Sequence, residues 1–392
     1  MTKRHRPATI AVHSTRAIPS QTEPEAPPIT PAAVYRFNSI EELQEVSSGR
    51  RPDFFYRRYG SPNSRLLEEV VRDLEGGEDA VATSSGMSAC VSIFWALAVR
   101  GDHIVAQKDL YGGTTAFFTR ELRTLGVDVT FTESAPSAIA AAMRQNTRFV
   151  FVETISNPLT RVCDLPAVAE IAHAARAQVV IDTTFATPVL CRPIEHGADL
   201  LYHSGTKFLN GHGDAVAGVI VGSEKDLAKI RKLAISIGAT ISPLDAWLVH
   251  RGIRTLHVRM ARICENALAI ARALERNKKV ARVHYPGLSS HPDRRIAARL
   301  LHGGYGGILS FESKGGDGAA KRFVKAARLV KLVPSLGSTA TTLTHPWSSS
   351  HSYLPEEERI RLGVGPGLIR ISAGIDDVAD VIDDLESALR KV

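Results

Sequence analysis

Short, almost continuously apolar runs alternate with stretches of helical periodicity between residues 60 and 222. Apolar strands of this kind, separated by helices, are typical of a mostly parallel sheet with helices on both faces. The runs that predict strands are 79–83, 103–107, 128–132, 148–153, 178–182, 200–204 and 217–222. The stretches that predict helices are 66–75, 86–99, 111–125, 137–145 and 165–175. Because ligands of such sheets bind beyond the carboxyl ends of the strands, the residues after each run are candidates for a site.

The rest of the 392-residue chain divides into an N-terminal arm and a smaller C-terminal α/β domain. Residues 1–59 are rich in proline at first and show little apolar periodicity, which predicts an extended arm that lies on a partner subunit or stays loose. Residues 60–257 form the predicted large domain. A long predicted helix at about 244–275 leads into the smaller domain, 258–392. Its predicted strands are 280–285, 307–311 and 368–372, and its predicted helices are 319–328 and 378–391.

Composition excludes several classes of protein. With 44% apolar and 23% charged residues, most of the chain is neither disordered nor a coiled coil. The net charge of +7 comes without a dense basic run beyond the first six residues, so we expect no nucleic-acid partner. No apolar stretch is long enough to cross a membrane, and the start has no apolar signal region, so we expect a cytoplasmic protein. Four widely spaced cysteines predict reduced thiols and no zinc site.

Three strand ends carry residues that could bind a ligand. The small residues Ser84-Ser85-Gly86-Met87-Ser88 lie between a strand and a helix, where they either point backbone N–H groups at an anion or simply cap the helix. Asp182 ends another strand and could cap a turn or face a ligand. Lys207 follows the strand at 200–204; a lysine there either extends to solvent or, when desolvated, becomes a nucleophilic amine.

Together, the anion site, the acid and the lysine match the needs of one cofactor. Pyridoxal phosphate (PLP) requires a cradle for its phosphate, an anion for its pyridinium nitrogen and an amine for its aldehyde. The acid keeps the ring nitrogen protonated, so that the ring can accept electrons from the substrate Cα. The sequence therefore predicts a PLP site at one edge of the sheet.

The stretch around the lysine carries a resemblance to a known family. Ser204-Gly205-Thr206-Lys207-Phe208-Leu209-Asn210-Gly211-His212 resembles the lysine motif of the Cys/Met-metabolism PLP-dependent enzymes. The family includes the cystathionine γ-synthases, γ-lyases and β-lyases, the methionine γ-lyases and the O-acylhomoserine sulfhydrylases. The resemblance runs from about Pro31 to the end of the chain. It implies the fold type I PLP-dependent transferase fold: a mostly parallel seven-stranded sheet in the large domain, a smaller C-terminal α/β domain and an N-terminal arm. It also implies a homotetramer, a dimer of catalytic dimers.

The resemblance implies roles for three residues at the reacting centre. Lys207 would bind the cofactor aldehyde covalently and later move the Cα and Cβ protons. Asp182 would pair with the pyridinium nitrogen. Tyr111 would stack on the cofactor ring and could assist proton transfer, so it would also contact the substrate.

Further residues are implied as ligands of the cofactor and of the substrate. Asn157 would lie near the phenolic oxygen of the cofactor and close to the substrate. Arg370 would hold the substrate α-carboxylate with help from Ser335; the alternative for Arg370 is a structural salt bridge. The residues implied to hold the phosphate within the same chain are Gly86, Met87, Ser204 and Thr206.

A motif in the arm resembles the family's Y-x-R-x-x-N-P-T pattern imperfectly. It reads Tyr56-Arg57-Arg58-Tyr59-Gly60-Ser61-Pro62-Asn63. The resemblance implies that Tyr56 and Arg58 bind the phosphate of the neighbouring subunit, which would make the dimer the catalytic unit. The alternative is a solvated basic turn.

Three positions depart from the family pattern in ways that bear on the substrate. Gly113 replaces a cysteine typical of methionine γ-lyases, which disfavours that activity. Ala340 falls where cystathionine enzymes generally carry a glutamate near the distal part of the substrate, which disfavours cystathionine. Leu336 stands where β-lyases usually have tryptophan, which disfavours β-elimination.

We therefore expect γ-elimination on a γ-substituted homoserine-type L-amino acid. The products would be 2-oxobutanoate and ammonia, or homoserine if water adds, and the leaving group a thiol, cysteine or the oxyguanidine of canavanine. The alternative is γ-replacement, as in a cystathionine γ-synthase or an O-acetyl- or O-succinylhomoserine sulfhydrylase. Methionine γ-lyase and cystathionine β-lyase activities are further alternatives, and a non-catalytic interaction protein is the remotest.

Overall fold

The computed structural model describes residues 6–12, 24–352 and 354–392, which fold around two β-sheets. The larger sheet has seven strands in the order β1-β7-β6-β5-β4-β2-β3, and only β7 runs antiparallel to its neighbours. Its strands are β1 (Asp79–Thr83), β2 (His103–Gln107), β3 (Asp128–Thr132), β4 (Thr147–Glu153), β5 (Gln178–Asp182), β6 (Leu200–Ser204) and β7 (Gly218–Gly222). A mostly parallel seven-stranded sheet is thereby confirmed.

The smaller sheet lies in the C-terminal part of the chain. Its five strands follow the order β10-β11-β12-β9-β8, and all neighbours except β10 and β11 pair antiparallel. They are β8 (Val280–His284), β9 (Ile308–Ser313), β10 (Lys331–Leu332), β11 (Thr342–Thr344) and β12 (Leu368–Ser372). The fold is thus α/β, with a large and a smaller sheet.

Helices cover the sheets. Those of the arm and the large sheet are α1 (Pro7–Val12), α2 (Ile40–Ser47), α3 (Pro62–Glu75), α4 (Gly86–Leu97), α5 (Gly112–Thr119), α6 (Glu121–Thr124), α7 (Pro136–Ala142), α8 (Leu165–Ala174), α9 (Thr187–Leu190), α10 (Glu224–Ile237) and α11 (Pro243–Ile253). Those that follow are α12 (Leu256–Arg276), α13 (Arg294–Leu300), α14 (Gly316–Ala326), α15 (Glu356–Arg361) and α16 (Val378–Leu389).

The central strand β4 shows why the strands of the large sheet are almost continuously apolar in sequence. Val150 and Val152 enter the core on one face, whereas Phe149 and Phe151 enter the core on the other. On the second face, the Phe94 ring of α4 meets both phenylalanines edge-on, with ring centroids 5.6 and 5.7 Å apart. Successive side chains of a strand point to opposite faces, so a strand that is covered on both faces is apolar throughout.

Five of the seven strands predicted in the large sheet match the structure residue for residue, but the predicted helix at 244–275 is wrong. It consists of α11 and α12, separated at Arg254 and Thr255. Just before the break, Gly252 packs so closely that a methyl group there would collide with the backbone oxygen of Asn210. The predicted helix at 111–125 is likewise divided, at Arg120, into α5 and α6.

The predicted arm is partly tied to its own chain. Asn63 bonds its Nδ2 to the Pro28 oxygen at 2.9 Å and accepts the Thr30 N–H at 2.8 Å, and Trp247 Nε1 donates to the Pro27 oxygen at 2.7 Å. The arm also contains the helices α1 and α2, which its sequence did not predict. Residues 1–5 and 13–23 of the predicted arm lie outside the described residues. Among the helices of the described part, none is long and apolar enough to span a bilayer.

Candidate functional site

A cavity of about 650 Å³ opens beyond the carboxyl ends of β4, β5 and β6. These strands are parallel neighbours, so Glu153, Asp182 and Ser204 at their ends reach the same edge of the sheet. The structure brings ten of the twelve predicted site residues to the wall of this cavity: Gly86, Met87, Tyr111, Asn157, Asp182, Ser204, Thr206, Lys207, Ser335 and Arg370.

Lys207 projects into the cavity from a tight turn after β6. Its Nζ donates a hydrogen bond to Ser335 Oγ at 2.7 Å. Burial lowers the pKa of the Lys207 amine from its usual 10.5 to about 8, and the positive charge of Arg370 lowers it further in the same direction. An amine with such a pKa is partly unprotonated near neutral pH, and the unprotonated form is the nucleophile.

Two carboxyl groups lie side by side opposite the lysine. Glu153 and Asp182 are paired in register at the ends of β4 and β5. The Thr184 N–H donates to Asp182 Oδ1 at 2.9 Å, which favours the charged form of Asp182. Burial, and then the charge of Asp182, raises the pKa of Glu153 well above its usual range. Burial also raises the pKa of Asp182, but the hydrogen bonds from Thr184 act in the opposite direction. We infer that Asp182 carries the negative charge of the pair, and that this charge suits a cationic ring nitrogen.

A cradle of neutral donors lies at the start of α4. Ser85 caps this helix by accepting the Ser88 N–H at 3.0 Å, so the capping interpretation of the small residues is confirmed. Gly86 begins the helix, and a methyl group added to it would lie 2.7 Å from Ser204 Cβ. The missing side chain lets the helix N-terminus pack closely against Ser204, and Gly86, Met87 and Ser204 all line the cavity. Because backbone N–H groups and the helix dipole favour anions at a helix N-terminus, this part of the cavity suits a phosphate.

Arg370 is a buried cation on β12, only 5% exposed. Its Nη1 donates to Asn157 Oδ1 at 2.9 Å, and its Nη2 donates to the Ser335 backbone oxygen at 3.2 Å. Burial lowers the pKa of Arg370 to about 10. Within the described residues, no carboxylate forms an ion pair with it, so the structural salt bridge considered as its alternative is not found there. A guanidinium of this kind can bind the carboxylate of a ligand.

Tyr111 lies at the mouth of the cavity, with 46% of its surface exposed. Its backbone N–H donates to Glu153 Oε1 at 2.8 Å, which fixes the corner before α5. A methyl group on Gly113 would lie 2.6 Å from the Tyr111 ring and 3.0 Å from Met87 Sδ. The glycine therefore gives the ring the room to lie in this position.

Comparison with known proteins identifies what this arrangement belongs to. The family model described as "Cys/Met metabolism PLP-dependent enzyme" matches residues 8–390. The chain belongs to this family. It is 40% identical to an L-methionine gamma-lyase of Porphyromonas gingivalis, over 97% of this chain and 96% of the relative. It is 39% identical to an O-succinylhomoserine sulfhydrylase of Pseudomonas aeruginosa, over 91% and 88% of the two chains. A cystathionine gamma synthase structure from Xanthomonas oryzae pv. oryzae superposes with a TM-score of 0.94 at 35% identity, over 99% of each chain.

The chain is therefore an enzyme, and its cofactor is pyridoxal 5′-phosphate. The residues of the cavity fit this cofactor. The helix N-terminus at Gly86, packed beside Ser204, can take the phosphate, Asp182 can supply an anion, and Lys207 supplies an amine of low proton affinity.

Tyr56 and Arg58 do not line the cavity of their own chain in this family member. Tyr56 is 43% exposed, and Arg58 Nη1 donates to the Ile235 backbone oxygen at 3.0 Å. The Arg58 guanidinium also lies 4.9 Å from the centre of the Tyr59 ring. Their contact with the phosphate of a neighbouring subunit stays a prediction.

Sequence reasoning missed two residues that shape the site. Glu153 ends β4 as Asp182 ends β5, so the rule that ligands bind at strand ends could have found it. Thr184 bonds Asp182 through its N–H and accepts the Ser204 N–H on its hydroxyl at 2.9 Å, which ties two strand ends together. Only the folded chain shows that second contact.

Proposed function

We propose that this enzyme catalyses γ-elimination on a γ-substituted homoserine-type L-amino acid, releasing 2-oxobutanoate and ammonia. One observation carries the proposal most directly. The Lys207 amine, with its lowered pKa, and the guanidinium of Arg370, which no described carboxylate neutralises, line the same cavity. A carboxylate held by Arg370 would present the substrate Cα to the amine.

The residues of the cavity divide the work of such a reaction. When bound, PLP supplies an electron sink that acidifies the substrate Cα–H and Cβ–H bonds. Lys207 Nζ would accept the Cα proton, deliver it to the cofactor carbon that is bonded to the substrate nitrogen, and then accept the Cβ proton. The Ser335 hydroxyl at 2.7 Å holds the amine in place. Asp182 stays charged toward the ring nitrogen. The Tyr111 hydroxyl donates a proton to the leaving γ-substituent.

The apolar part of the cavity lining supports an uncharged leaving group. Ala116, Ile155, Val216 and Leu336 belong to it, and the lining residues with a carboxyl, ammonium or guanidinium group are Glu153, Asp182, Lys207 and Arg370. A thiol or thioether would meet no counter-charge there. This observation, with the relative named L-methionine gamma-lyase, keeps methionine among the candidate substrates despite Gly113.

A second candidate is γ-replacement. It is favoured by the similarity to the O-succinylhomoserine sulfhydrylase and to the cystathionine gamma synthase. Replacement shares its first half with elimination and differs only in that a thiol adds at Cγ. The residues named above would serve both reactions.

A substrate panel separates the two. Purified protein is incubated with methionine, homocysteine, cystathionine, cysteine, O-acetyl- and O-succinylhomoserine and canavanine, each with and without an added thiol. We expect 2-oxobutanoate and ammonia without thiol. Product only in the presence of thiol would establish replacement, pyruvate as the main product would establish β-elimination, and a colourless protein with no turnover would revive a non-catalytic role.

The lysine assignment has its own test. Borohydride reduction followed by peptide mapping should place the pyridoxyl label on Lys207, and Lys207→Ala should lose both label and turnover. A matched variant, Lys108→Ala, removes an ammonium that pairs with Glu133 outside the cavity and should keep both. A label on another lysine would contradict the assignment.

The assembly is proposed to be a tetramer made of catalytic dimers, with Tyr56 and Arg58 reaching the partner's phosphate. Mixing inactive Lys207→Ala with inactive Arg58→Ala should then restore about a quarter of the activity, because about half of the dimers become mixed and each mixed dimer contains one site without either substitution. Absence of any recovery, with exchange of subunits demonstrated, would contradict the sharing of the site.

A further inference from the structure

Arg259 is a second buried cation, on the first turns of α12 and 4% exposed. Its guanidinium donates to the backbone oxygens of Phe208 at 2.7 Å and Leu209 at 3.3 Å. It also donates to the Gly252 oxygen at 2.7 Å and to Thr255 Oγ1 at 3.1 Å. All of these acceptors are neutral, and within the described residues no carboxylate pairs with Arg259.

The Lys207 segment, residues 204–211, forms a short helical turn. This turn leaves the backbone oxygens of Phe208 and Leu209 without partners in the turn. The turn is closed by Lys207 N–H to the Ser204 oxygen at 3.1 Å and by Gly211 N–H to the Lys207 oxygen at 2.7 Å. Within the described chain, no backbone N–H bonds the oxygens of Phe208 and Leu209. Carbonyls at the end of a helical turn need outside donors when they are buried, and the guanidinium supplies them.

Glycines make room for this contact on both sides. Gly211 has φ +75°, and a methyl group there would collide with Arg259 Nη1. Gly252 passes so close to the Lys207 segment that a methyl group would collide with the Asn210 oxygen. The sequence therefore accommodates the guanidinium between the turn after β6 and the junction of α11 and α12.

We propose that Arg259 is a positioning residue for Lys207: it fixes the backbone that carries the amine, so that Nζ stays directed into the cavity. This rests on the proposed role of Lys207 as the residue that binds the cofactor. A planar guanidinium reaches several acceptors at once, which the single ammonium of a lysine cannot do in the same geometry. Burial without a counter-charge lowers the pKa of Arg259 to about 10, so its charge is held there at a cost in stability.

The test measures how fast apoenzyme forms its covalent bond to added PLP. Apoenzyme is prepared from the intact protein, and the bond is followed by absorbance and by borohydride trapping. We expect Arg259→Met to slow bond formation roughly ten- to a hundredfold, because small displacements of a reacting group have effects of this size. We expect Arg259→Lys to recover part of the rate, and Thr255→Val, which removes one acceptor of the guanidinium, to slow it less.

The matched control is Arg231→Met. Arg231 is also partly buried, but it bonds Glu68 at 3.0 Å and Asp79 at 3.1 Å, away from the Lys207 turn. The Arg231→Met substitution should lower the melting temperature while leaving the rate of bond formation unchanged. A rate for Arg259→Met equal to that of the wild type would overturn the proposal. If Arg259→Met does not fold, an unchanged rate for Thr255→Val and Arg259→Lys would do the same.

The two proposals fail differently. A pyridoxyl label on a residue other than Lys207 in the wild type would contradict the proposed role of Lys207 itself. A label that forms on Lys207 at the same rate in all Arg259 variants would contradict only the proposed positioning role of Arg259.

Discussion

The lowered pKa of Lys207 predicts how the apoenzyme takes up its cofactor as pH changes. At about pH 7.5, a pKa of about 8 leaves roughly a quarter of the amine unprotonated, whereas the usual 10.5 would leave roughly one part in a thousand. The rate of bond formation with PLP should therefore rise with pH through a midpoint near 8 and level off above it. The proton must leave before the amine can attack, which gives the direction of the change.

Arg370→Met tests the physical cause. Burial is the larger cause of the shift and the Arg370 charge the smaller, so removing the charge should move the midpoint upward, to between about 8 and 10.5. Bond formation at about pH 7.5 should slow accordingly. Arg231→Met, which removes a guanidinium outside the cavity, should leave the midpoint in place.

The assay is stopped-flow absorbance of apoenzyme mixed with excess PLP over a range of pH, at constant ionic strength. The plateau rate at high pH separates a pKa effect from a change in geometry, because only the former is abolished there. A wild-type midpoint near the usual lysine pKa would show that the cavity does not desolvate the amine. A midpoint unmoved in Arg370→Met would show that its charge does not reach Lys207.

Three further predictions concern the walls of the cavity. Burial, and then the charge of Asp182, raises the pKa of Glu153 and so favours its neutral form; Glu153→Gln should therefore change kcat by less than about threefold and leave its pH profile in place, and a large loss would contradict this. Gly86→Ala should weaken PLP binding about tenfold or more in equilibrium dialysis, because the new methyl group collides with Ser204 and displaces the helix N-terminus, whereas Gly365→Ala, whose methyl group would meet open space, should bind normally. Arg370→Lys should raise KM roughly ten- to a hundredfold with a smaller effect on kcat, since one planar pair of donors to the substrate carboxylate is lost; an unchanged KM in steady-state kinetics would contradict that contact.

Local patterns were enough to predict the strands of the large sheet. Runs such as 103–107 and 178–182 are apolar on both faces and begin and end as the structure has them. The same patterns were not enough where a tertiary contact decides the outcome. Apolar periodicity continues through 244–275, yet the helix is interrupted at Arg254 and Thr255, next to the close contact of Gly252 with Asn210.

The site was predictable in part for a similar reason. Asp182 and Lys207 follow apolar strands, so their place at the sheet edge could be inferred from the strands alone. The contact of Lys207 with Ser335 joins residues 128 positions apart, and only the resemblance suggested that Ser335 and Arg370 belong to the same cavity. The absence of a described counter-charge for Arg370, which makes it a candidate carboxylate anchor, needed the structure.

The single antiparallel strand has a consequence for the order in which the protein is made. Strand β1, which leads into Ser85 and Gly86, joins the large sheet through β7 alone, and β7 ends at Gly222. On the ribosome, Lys207 is therefore synthesised before the segment that brings the Gly86 turn beside it. A nascent chain that stops short of β7 would carry Lys207 without the Gly86 turn beside it, so we expect the coenzyme to bind only after the large sheet is complete.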